Sequence, residues 1–401
     1  MRRLGSVTKA LRPGRKVDER RRTLGVKYTK GFLDALFSEE LHAARVQSLA
    51  NGVVGVLSAA VLSVAAIGTA YALVAGTKAK SGIKQIDRLL SNTGVIVDTI
   101  QKEWVQFVVG ARKEIVIAMD WTDFDDDDHT TLCAYMVTRH GRATPMVWQT
   151  VRKSELKDRR TDIEHDMVER IHGWLDPAIA AELLADRGFG DQKLYALLMF
   201  YGWDFHIRFR GNILVENADG AARPANDWVL PTGRALILRK AKVTQDRFEV
   251  PAVVVVQAKR MKEPWCLVSS RADLKAAEVI KRYGKRFTIE ETFRDTKDLH
   301  FGMGLKATHI KKPERRDRML LLVAMAHALL TLLGAASEDT GMDAYLKANT
   351  VKRRTHSLFR QGSYWYQAIP TMREEWLTTL MTAFDRIVRE HAVFREVFGV
   401  L

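Results

Sequence analysis

Cysteine is almost absent from this sequence. Only Cys133 and Cys266 occur among 401 residues, and neither stands at a metal-ligand spacing from a histidine or from the other cysteine. This scarcity excludes a disulfide-stabilised scaffold and gives no indication of a structural zinc site. It is also typical of a protein that stays in a reducing, intracellular compartment.

Acidic residues are in short supply as well. Asp and Glu number 48 against 63 Lys and Arg, which gives a formal net charge of +15. This excess favours a polyanionic partner, and both nucleic acid and a membrane surface satisfy it. The length is sufficient for two or three domains, and 47% hydrophobic residues indicate packed cores rather than disorder.

Charge of either sign is missing altogether from residues 50–76. A helix of that length would cross a bilayer, so a basic membrane-associated protein is one interpretation. The run is dominated by small residues and begins too far along the chain for a signal peptide. Gly52, Gly55 and Gly68 are expected to break it into closely packed, buried helices, which is the competing interpretation.

The most informative residues present are four polar side chains in residues 283–297. Tyr283, Arg286, Glu290 and Lys297 stand at offsets of 0, 3, 7 and 14. On one helix these offsets fall within about a 60° arc, so the spacing predicts a single polar stripe. Cations on such a stripe can bind phosphate oxygens while the carboxylate binds a metal ion. An ordinary surface helix with salt bridges is the alternative.

The spacing resembles the Tyr-x2-Arg-x3-Glu-x6-Lys signature of the insertion-sequence-four family of cut-and-paste transposases. The sequence resembles the tetracycline-transposon members of this family most closely. The similar segments are residues 262–265, residues 289–295 and Gly302-x-Gly304-Leu305. The resemblance implies that Glu290 is the third member of an Asp-Asp-Glu metal-binding triad. It also implies hydrolysis, a DNA hairpin intermediate and joining of 3′ ends to target DNA.

Two aspartates are candidates for the rest of the triad. Asp120 follows an apolar strand pattern and Asp186 ends an apolar run. Both resemble the family's catalytic aspartates in the sequence immediately around them. Asp123 and Asp204 are their rivals. Three carboxylates from distant chain positions would suit two Mg²⁺ ions, for which Mn²⁺ may substitute.

The run of four aspartates at 125–128, followed by His129, is interpreted instead as a solvated hairpin or loop. Four consecutive side chains point in too many directions to form one metal cage. The run has no counterpart in the family pattern, and its effect on bound DNA is left open.

The order of predicted elements indicates an α/β fold. Period-two alternation and apolar runs predict three strands, a helix, a strand, a helix and a strand. These elements are at residues 115–120, 131–138, 145–151, 163–174, 181–186, 192–201 and 205–210. Three strands, helix, strand, helix, strand is the order of a ribonuclease-H-like fold. The resemblance places the triad at two strand ends and on a late helix.

Five regions are expected along the chain. They are a helical DNA-end-binding domain with a basic arm (1–110), the first part of the catalytic core (111–210), a β-strand insertion (211–270), the second part of the core (271–335) and a helical C-terminal region (336–401). In the first region Lys84 and Arg88 lie on a basic amphipathic helix that resembles the family's end-binding segment.

Tyr283, Arg286 and Lys297 are the expected DNA contacts near the cut, and Trp265 and Phe287 resemble positions that receive or displace a flipped base. Ordinary core packing is an equal alternative for these two aromatics. The expected partner is double-stranded DNA, bound by a homodimer with no membrane, in a bacterial, nucleoid-associated cytoplasmic protein. A related metal-dependent nuclease, a non-catalytic DNA-binding descendant and a membrane-associated protein remain as alternatives.

Overall fold

The computed structural model describes residues 25–300 and 302–389, and the fold of this part is mixed α/β. Most of the basic arm predicted at the N-terminus lies outside the described residues. The helices are α1 (Val26–Phe37), α2 (Ala43–Ala59), α3 (Val64–Val74), α4 (Ala79–Ser91), α5 (Val97–Val109), α6 (Arg160–Trp174), α7 (Gln192–Phe200), α8 (Ala276–Gly284), α9 (Phe287–Lys297), α10 (Pro313–Asp339), α11 (Leu358–Ala368) and α12 (Glu374–Arg389). The strands are β1 (Glu114–Phe124), β2 (His129–Met136), β3 (Thr144–Arg152), β4 (Ala180–Ala185), β5 (Asp204–Phe209), β6 (Leu214–Glu216), β7 (Ala222–Pro224), β8 (Leu236–Val243), β9 (Phe248–Val256) and β10 (Trp265–Ser269).

All ten strands form one sheet, in the order β3-β2-β1-β4-β5-β10-β9-β8-β6-β7. The pairs β1-β2 and β2-β3 are antiparallel, whereas β4 is parallel to both β1 and β5. The predicted sequence of three strands, helix, strand, helix and strand is therefore confirmed. This arrangement is consistent with a ribonuclease-H-like domain.

The β-branched segment after β5 continues the same sheet. Strand β10 pairs antiparallel with β5, and β9 pairs antiparallel with β10. The valines Val253–Val256 of β9 are buried because the strand lies between two neighbours and is covered by side-chain packing. The strands predicted from composition are present, and they extend the central sheet beyond β5.

The charge-free run at 50–76 forms parts of two helices, α2 and α3, which are bent by 99° to each other. The break is at residues 60–63, where Ala60 adopts a left-handed conformation with φ of 51°. Gly52 and Gly55 lie inside α2 and Gly68 lies inside α3, so the prediction that these glycines interrupt the run is wrong. Close packing is confirmed at Gly68, because a Cβ there would lie 2.4 Å from the Cα of Ile83 on α4.

By length and composition, one described helix could cross a membrane, namely α10, or two spans if the bent α2–α3 pair counts as one. The apolar stretch of α10 is completely buried within the protein. A central helix of any folded core has the same properties. Length and composition therefore give the membrane-associated alternative only weak support.

Helix α10 carries a buried histidine into this core. His327 is 1% exposed and stacks on Phe359 of α11, with ring centroids 4.7 Å apart. Neither ring nitrogen has a hydrogen-bond partner among the residues that the structure describes. Burial, with a smaller contribution from Arg142, lowers the pKa of His327 to about 3. Burial also lowers the pKa of His140, which lies close enough to interact with His327.

We predict that His327→Leu makes the folded state less sensitive to acid. The pKa of His327 is below the 6.5 of a free histidine, so the unfolded chain binds the extra proton first. Stability is therefore complete above about pH 6.5 and falls toward pH 3, by up to about 1.4 kcal/mol per pH unit for this group. Denaturant unfolding at several pH values measures the slope. An unchanged slope in the variant would contradict the assignment.

Candidate active site

Two aspartates lie side by side on neighbouring segments of the sheet. Residues Ile115–Met119 of β1 and Ala181–Ala185 of β4 are buried and, apart from Glu182, apolar. These strands are parallel, and Met119 pairs with Ala185. The next residues are Asp120, which is still within β1, and Asp186, which follows the end of β4. The register therefore brings both carboxylates together at the carboxyl end of β4, while β1 continues to Phe124, beyond the strand predicted at 115–120.

The polar stripe predicted for residues 283–297 does not lie on one helix. Helix α8 ends at Gly284 and α9 begins at Phe287, so the two turn residues Lys285 and Arg286 separate the helix of Tyr283 from the helix of Glu290. The prediction of a continuous helix is wrong. Tyr283, Arg286 and Glu290 nevertheless converge, because the turn positions Arg286 beside the first turn of α9.

Arg286 connects the carboxylates from different elements. Its Nη1 donates to Asp120 Oδ2 at 3.0 Å and its Nη2 donates to Glu290 Oε1 at 2.6 Å. The Arg286 side chain is only 4% exposed. Tyr283 donates its hydroxyl to Asp186 Oδ1 at 3.3 Å, and Arg208 Nη1 lies 3.8 Å from the same oxygen. The three predicted carboxylates thus belong to one connected group.

The charges of this group act on one another. Burial raises the pKa of Asp120 to about 6, Arg286 opposes this rise, and the negative charges of Asp186 and Glu290 add to it. Burial lowers the pKa of Arg286, but Tyr283 and the three carboxylates outweigh burial and raise it above the ordinary value. One guanidinium therefore holds a cluster that carries more negative charge than it neutralises.

Lys297 stabilises the end of β1. Its Nζ donates to Thr122 Oγ1 at 2.8 Å and to the carbonyl oxygen of Asp123 at 2.7 Å. The ammonium also lies 4.7 Å from the centre of the Phe124 ring. Burial lowers the pKa of Lys297. Lys297 therefore lies beside the strand that carries Asp120, two residues beyond that aspartate.

The predicted aromatics adjoin the carboxylates. The ring centroids of Trp265 and Tyr283 are 5.1 Å apart, and those of Trp265 and Phe287 are 5.9 Å apart. Phe287 is 41% exposed, and Trp265 is half-buried at the start of β10. Tyr283 itself is buried, with 1% exposure, so Trp265 and Phe287 are the accessible members of this aromatic cluster. The cluster lies next to Asp186, outside the main core.

The rival aspartates lie outside the carboxylate group. Asp123 accepts a hydrogen bond from Lys153 Nζ at 3.0 Å on the exposed side of the β1–β2 hairpin. Asp204 accepts from Ser270 Oγ at 2.8 Å and from Arg271 Nη1 at 3.1 Å, at the opposite end of the sheet. Both aspartates are held by local cations or hydroxyls.

The run of four aspartates forms the tight turn between β1 and β2, but it is not wholly solvated. Asp127 is 7% exposed, accepts the amide of Ile310 at 3.0 Å and forms an ion pair with the fully buried Arg316 of α10. Asp125 instead pairs with Lys153 on the surface. The solvated interpretation is therefore wrong for Asp127, which attaches the hairpin to α10. Asp127 and Arg316 are 189 positions apart, so no local pattern could reveal their contact.

A second ion-pair network beside Asp186 was not foreseen from the sequence. Arg208 of β5 lies 2.7 Å from Glu263, and Glu263 also accepts a hydrogen bond from Arg187 at 3.0 Å. These contacts join β5, the loop after β4 and the loop before Trp265. The alternation of polar and apolar residues in β5 was the only available signal for Arg208.

Lys84 and Arg88 lie on the exposed side of α4, while Ile86, Leu89 and Leu90 are buried. The amphipathic character predicted for this helix is confirmed. The two basic side chains are available to a partner on a different element from the carboxylates.

Residues 111–329, more than half of the chain, match the family model of the transposase DDE domain. The chain belongs to this family. No curated protein matches it. The matched range runs from just before β1 into α10 and contains Asp120, Asp186 and Glu290. A DDE transposase acts on DNA, and enzymes of this family generally use divalent metal ions such as Mg²⁺.

The donor chemistry of this carboxylate group suits such ions, since three carboxylates offer the oxygen ligands that Mg²⁺ prefers. Within residues 25–300 and 302–389, however, no three His, Cys, Asp or Glu side chains are arranged to hold a metal as they stand. Arg286 forms ion pairs with Asp120 and Glu290. Its guanidinium therefore occupies one oxygen of each of these two carboxylates.

A glycine determines how the chain turns after α9. A Cβ at Gly302 would lie 2.3 Å from the carbonyl oxygen of Arg294 and 2.5 Å from that of Asp295. The next amide, that of Met303, donates to Asp295 O at 2.8 Å. Only glycine permits this approach, which packs the turn against the helix that carries Glu290.

We predict that Gly302→Ala destabilises the transposase by about 1–3 kcal/mol, because the added methyl group collides with rigid backbone oxygens. Gly284→Ala is the matched control. Among the described residues, no atom lies within 4 Å of a Cβ at Gly284. Replacing this helical glycine by alanine should therefore increase the free energy of unfolding by about 0.5–1 kcal/mol. Denaturant unfolding measures both variants. Equal stabilities would show that the turn can move to accept a side chain.

Proposed function

We propose that this DDE transposase is a cut-and-paste enzyme of the insertion-sequence-four type. The observation that carries the proposal is the convergence of Asp120, Asp186 and Glu290 on Arg286 and Tyr283. These side chains come from β1, the loop after β4, α8, α9 and the turn between the two helices. The family's Tyr, Arg and Glu positions thus meet in space even though they do not share a helix.

In this proposal Asp120, Asp186 and Glu290 hold two Mg²⁺ ions, and Mn²⁺ can replace them. When bound, such ions activate the attacking oxygen and stabilise the leaving oxygen of a phosphodiester. Tyr283 positions Asp186 through its hydroxyl group. Arg286 neutralises the cluster in the free protein and contacts a DNA phosphate near the cut once it is released. Lys297 positions the end of β1 and adds positive charge beside the same phosphates.

Trp265 and Phe287 are proposed to receive a base that leaves the duplex when the transposon end forms a hairpin. Aromatic rings stack on unpaired bases and offset part of the cost of unstacking. The exposure of Phe287 and its contact with Trp265 support this role, because a fully buried pair would be inaccessible to a base.

The remaining parts of the proposal concern partners and organisation. Double-stranded DNA, both terminal inverted repeats and target, is the substrate, and a homodimer holds the two ends. Lys84 and Arg88 contribute to end binding within a helical N-terminal domain, and the division into five regions is kept as proposed from the sequence. We place the protein in the bacterial cytoplasm at the nucleoid, without a membrane association.

We predict that Asp120→Ala, Asp186→Ala and Glu290→Ala each reduce Mg²⁺-dependent cleavage of element ends by more than about 100-fold, which exceeds the usual effect of losing an outer-shell residue. Gel-shift binding of the same DNA should remain, because no phosphate-contacting cation is removed. Asp123→Ala and Asp204→Ala are matched controls that should cleave. A triad variant that cleaves normally would remove that residue from the proposed site.

We predict that Trp265→Ala spares nicking of the first strand and impairs hairpin formation. The ring offers a flipped base about 1–3 kcal/mol of stacking. The two products are separated on denaturing gels. An abasic site at the flipped position should partly rescue the variant, since no base then needs a pocket. Equal loss of both steps without rescue would identify Trp265 as a packing residue only.

A further inference from the structure

Helix α8 has two functional sides. Tyr283 contacts Asp186 on one side, whereas Lys281 and Arg282 line a cavity on the other. Lys285, the residue after the end of the helix, lines the same cavity. This cavity has a volume of about 540 Å³ and lies at the amino ends of β1, β4 and β5. It is therefore at the opposite end of the sheet from the carboxylate group.

The lining of this cavity is mostly charged, and Glu182 of β4 is a buried part of it, with 6% exposure. His206 of β5 does not line the cavity but lies fully buried beside Glu182, with Nε2 3.5 Å from Glu182 Oε1. Among the described residues, neither ring nitrogen of His206 has a hydrogen-bond partner. The charged groups that line the cavity need a polar occupant or water.

Some of the surrounding charges are already paired. Arg282 forms an ion pair with Glu182, and Arg271 contacts both Asp204 and Asp273. Glu278 is used at the start of α8, where its carboxylate accepts the amide of Lys275. Glu114 lines the cavity at the start of β1.

Other cations are left over. Within residues 25–300 and 302–389, no salt bridge or hydrogen bond engages the ammonium groups of Lys281 and Lys285 or the guanidinium of Arg139. Burial lowers the pKa of Lys285, the neighbouring charges of Arg282, Lys281 and Arg139 lower it further, and the negative charge of Glu182 opposes this fall. Glu182 is itself paired with Arg282. An added anion would therefore relieve the repulsion between Lys281 and Lys285.

We propose that this cavity binds a phosphate group through Lys281 and Lys285. Lysine ammonium groups bind phosphate as compact point charges, and the volume accommodates a phosphate with its water. The phosphate belongs either to a DNA backbone or to a small free phosphate, since both present the same oxygens. The site goes beyond the proposed function, and only its DNA form rests on it.

The cavity is connected with the proposed active site through two consecutive residues of α8, Arg282 and Tyr283. Arg282 pairs with Glu182 near the start of β4, and Tyr283 contacts Asp186 just after the end of the same strand. A ligand that draws Arg282 or Lys285 toward itself therefore acts on the helix that positions Asp186.

The test compares the full-length wild type with the double variant Lys281→Gln/Lys285→Gln and with Lys102→Gln, an exposed lysine on α5, as control. Without ligand, the double variant should melt at the wild-type temperature or above it, because repulsion is removed. Inorganic phosphate, compared with chloride at equal ionic strength, should raise the melting temperature of wild type and control more than that of the double variant. This result identifies a free-phosphate site.

A duplex of unrelated sequence is the second probe. If the ligand is a DNA backbone, the slope of log binding constant against log salt should become shallower in the double variant by up to about 1.8, or about 0.9 for each lost phosphate contact. If neither the phosphate effect nor the slope differs between the double variant and the control, the proposal is overturned. That failure would leave the carboxylate site untouched, because the test for that site is cleavage by the Asp120, Asp186 and Glu290 variants.

Discussion

The carboxylate group depends on the pairing of Arg286 with carboxylates from two separate elements. Asp120 on β1 and Glu290 on α9 would repel each other without a cation between them, and Arg286 supplies that cation from a buried position. Burial and like charge raise the pKa of Asp120, and Arg286 opposes this rise. A group with more carboxylates than cations has the oxygen donors and the charge that suit divalent ions.

Two levels of structure support that interaction. The register of β1 and β4 fixes Asp120 and Asp186 side by side, since backbone pairing leaves no freedom along the strands. The helices are fixed by side-chain contacts instead. Arg142 forms an ion pair with Asp295 of α9, and Arg282 of α8 forms one with Glu182 of β4. Lys297 donates a hydrogen bond to Thr122 near the end of β1. Rigid strands therefore carry two carboxylates, while the third is carried by a helix that ion pairs position.

The sequence was most informative where the periodicity of apolar residues shows which face of a strand or helix is buried. The strands of the central sheet and the amphipathic α4 were predicted correctly because alternation and helical spacing reflect which side chains are buried. The continuous helix at 283–297 was wrong because charge spacing alone does not reveal the turn between Gly284 and Phe287. Tyr283, Arg286 and Glu290 still converge, because the turn between the two helices brings them together without a shared helix.

Long-range ion pairs escaped prediction for a physical reason. Asp127 reads as one of four solvated aspartates, yet its carboxylate is buried against Arg316 of α10 while Asp125 remains on the surface. A buried charge needs a partner of opposite charge, and here that partner is distant in sequence. No local sequence pattern can predict such a partner. Lys281 and Lys285, at the end of α8, present the converse case. In sequence they resemble an ordinary solvated surface, and only the fold shows that they line a cavity in which Glu182 and Asp204 are already paired with other cations. The role of a charged residue in such a run therefore depends on the groups that the fold brings into contact with it, and these groups are not adjacent in sequence.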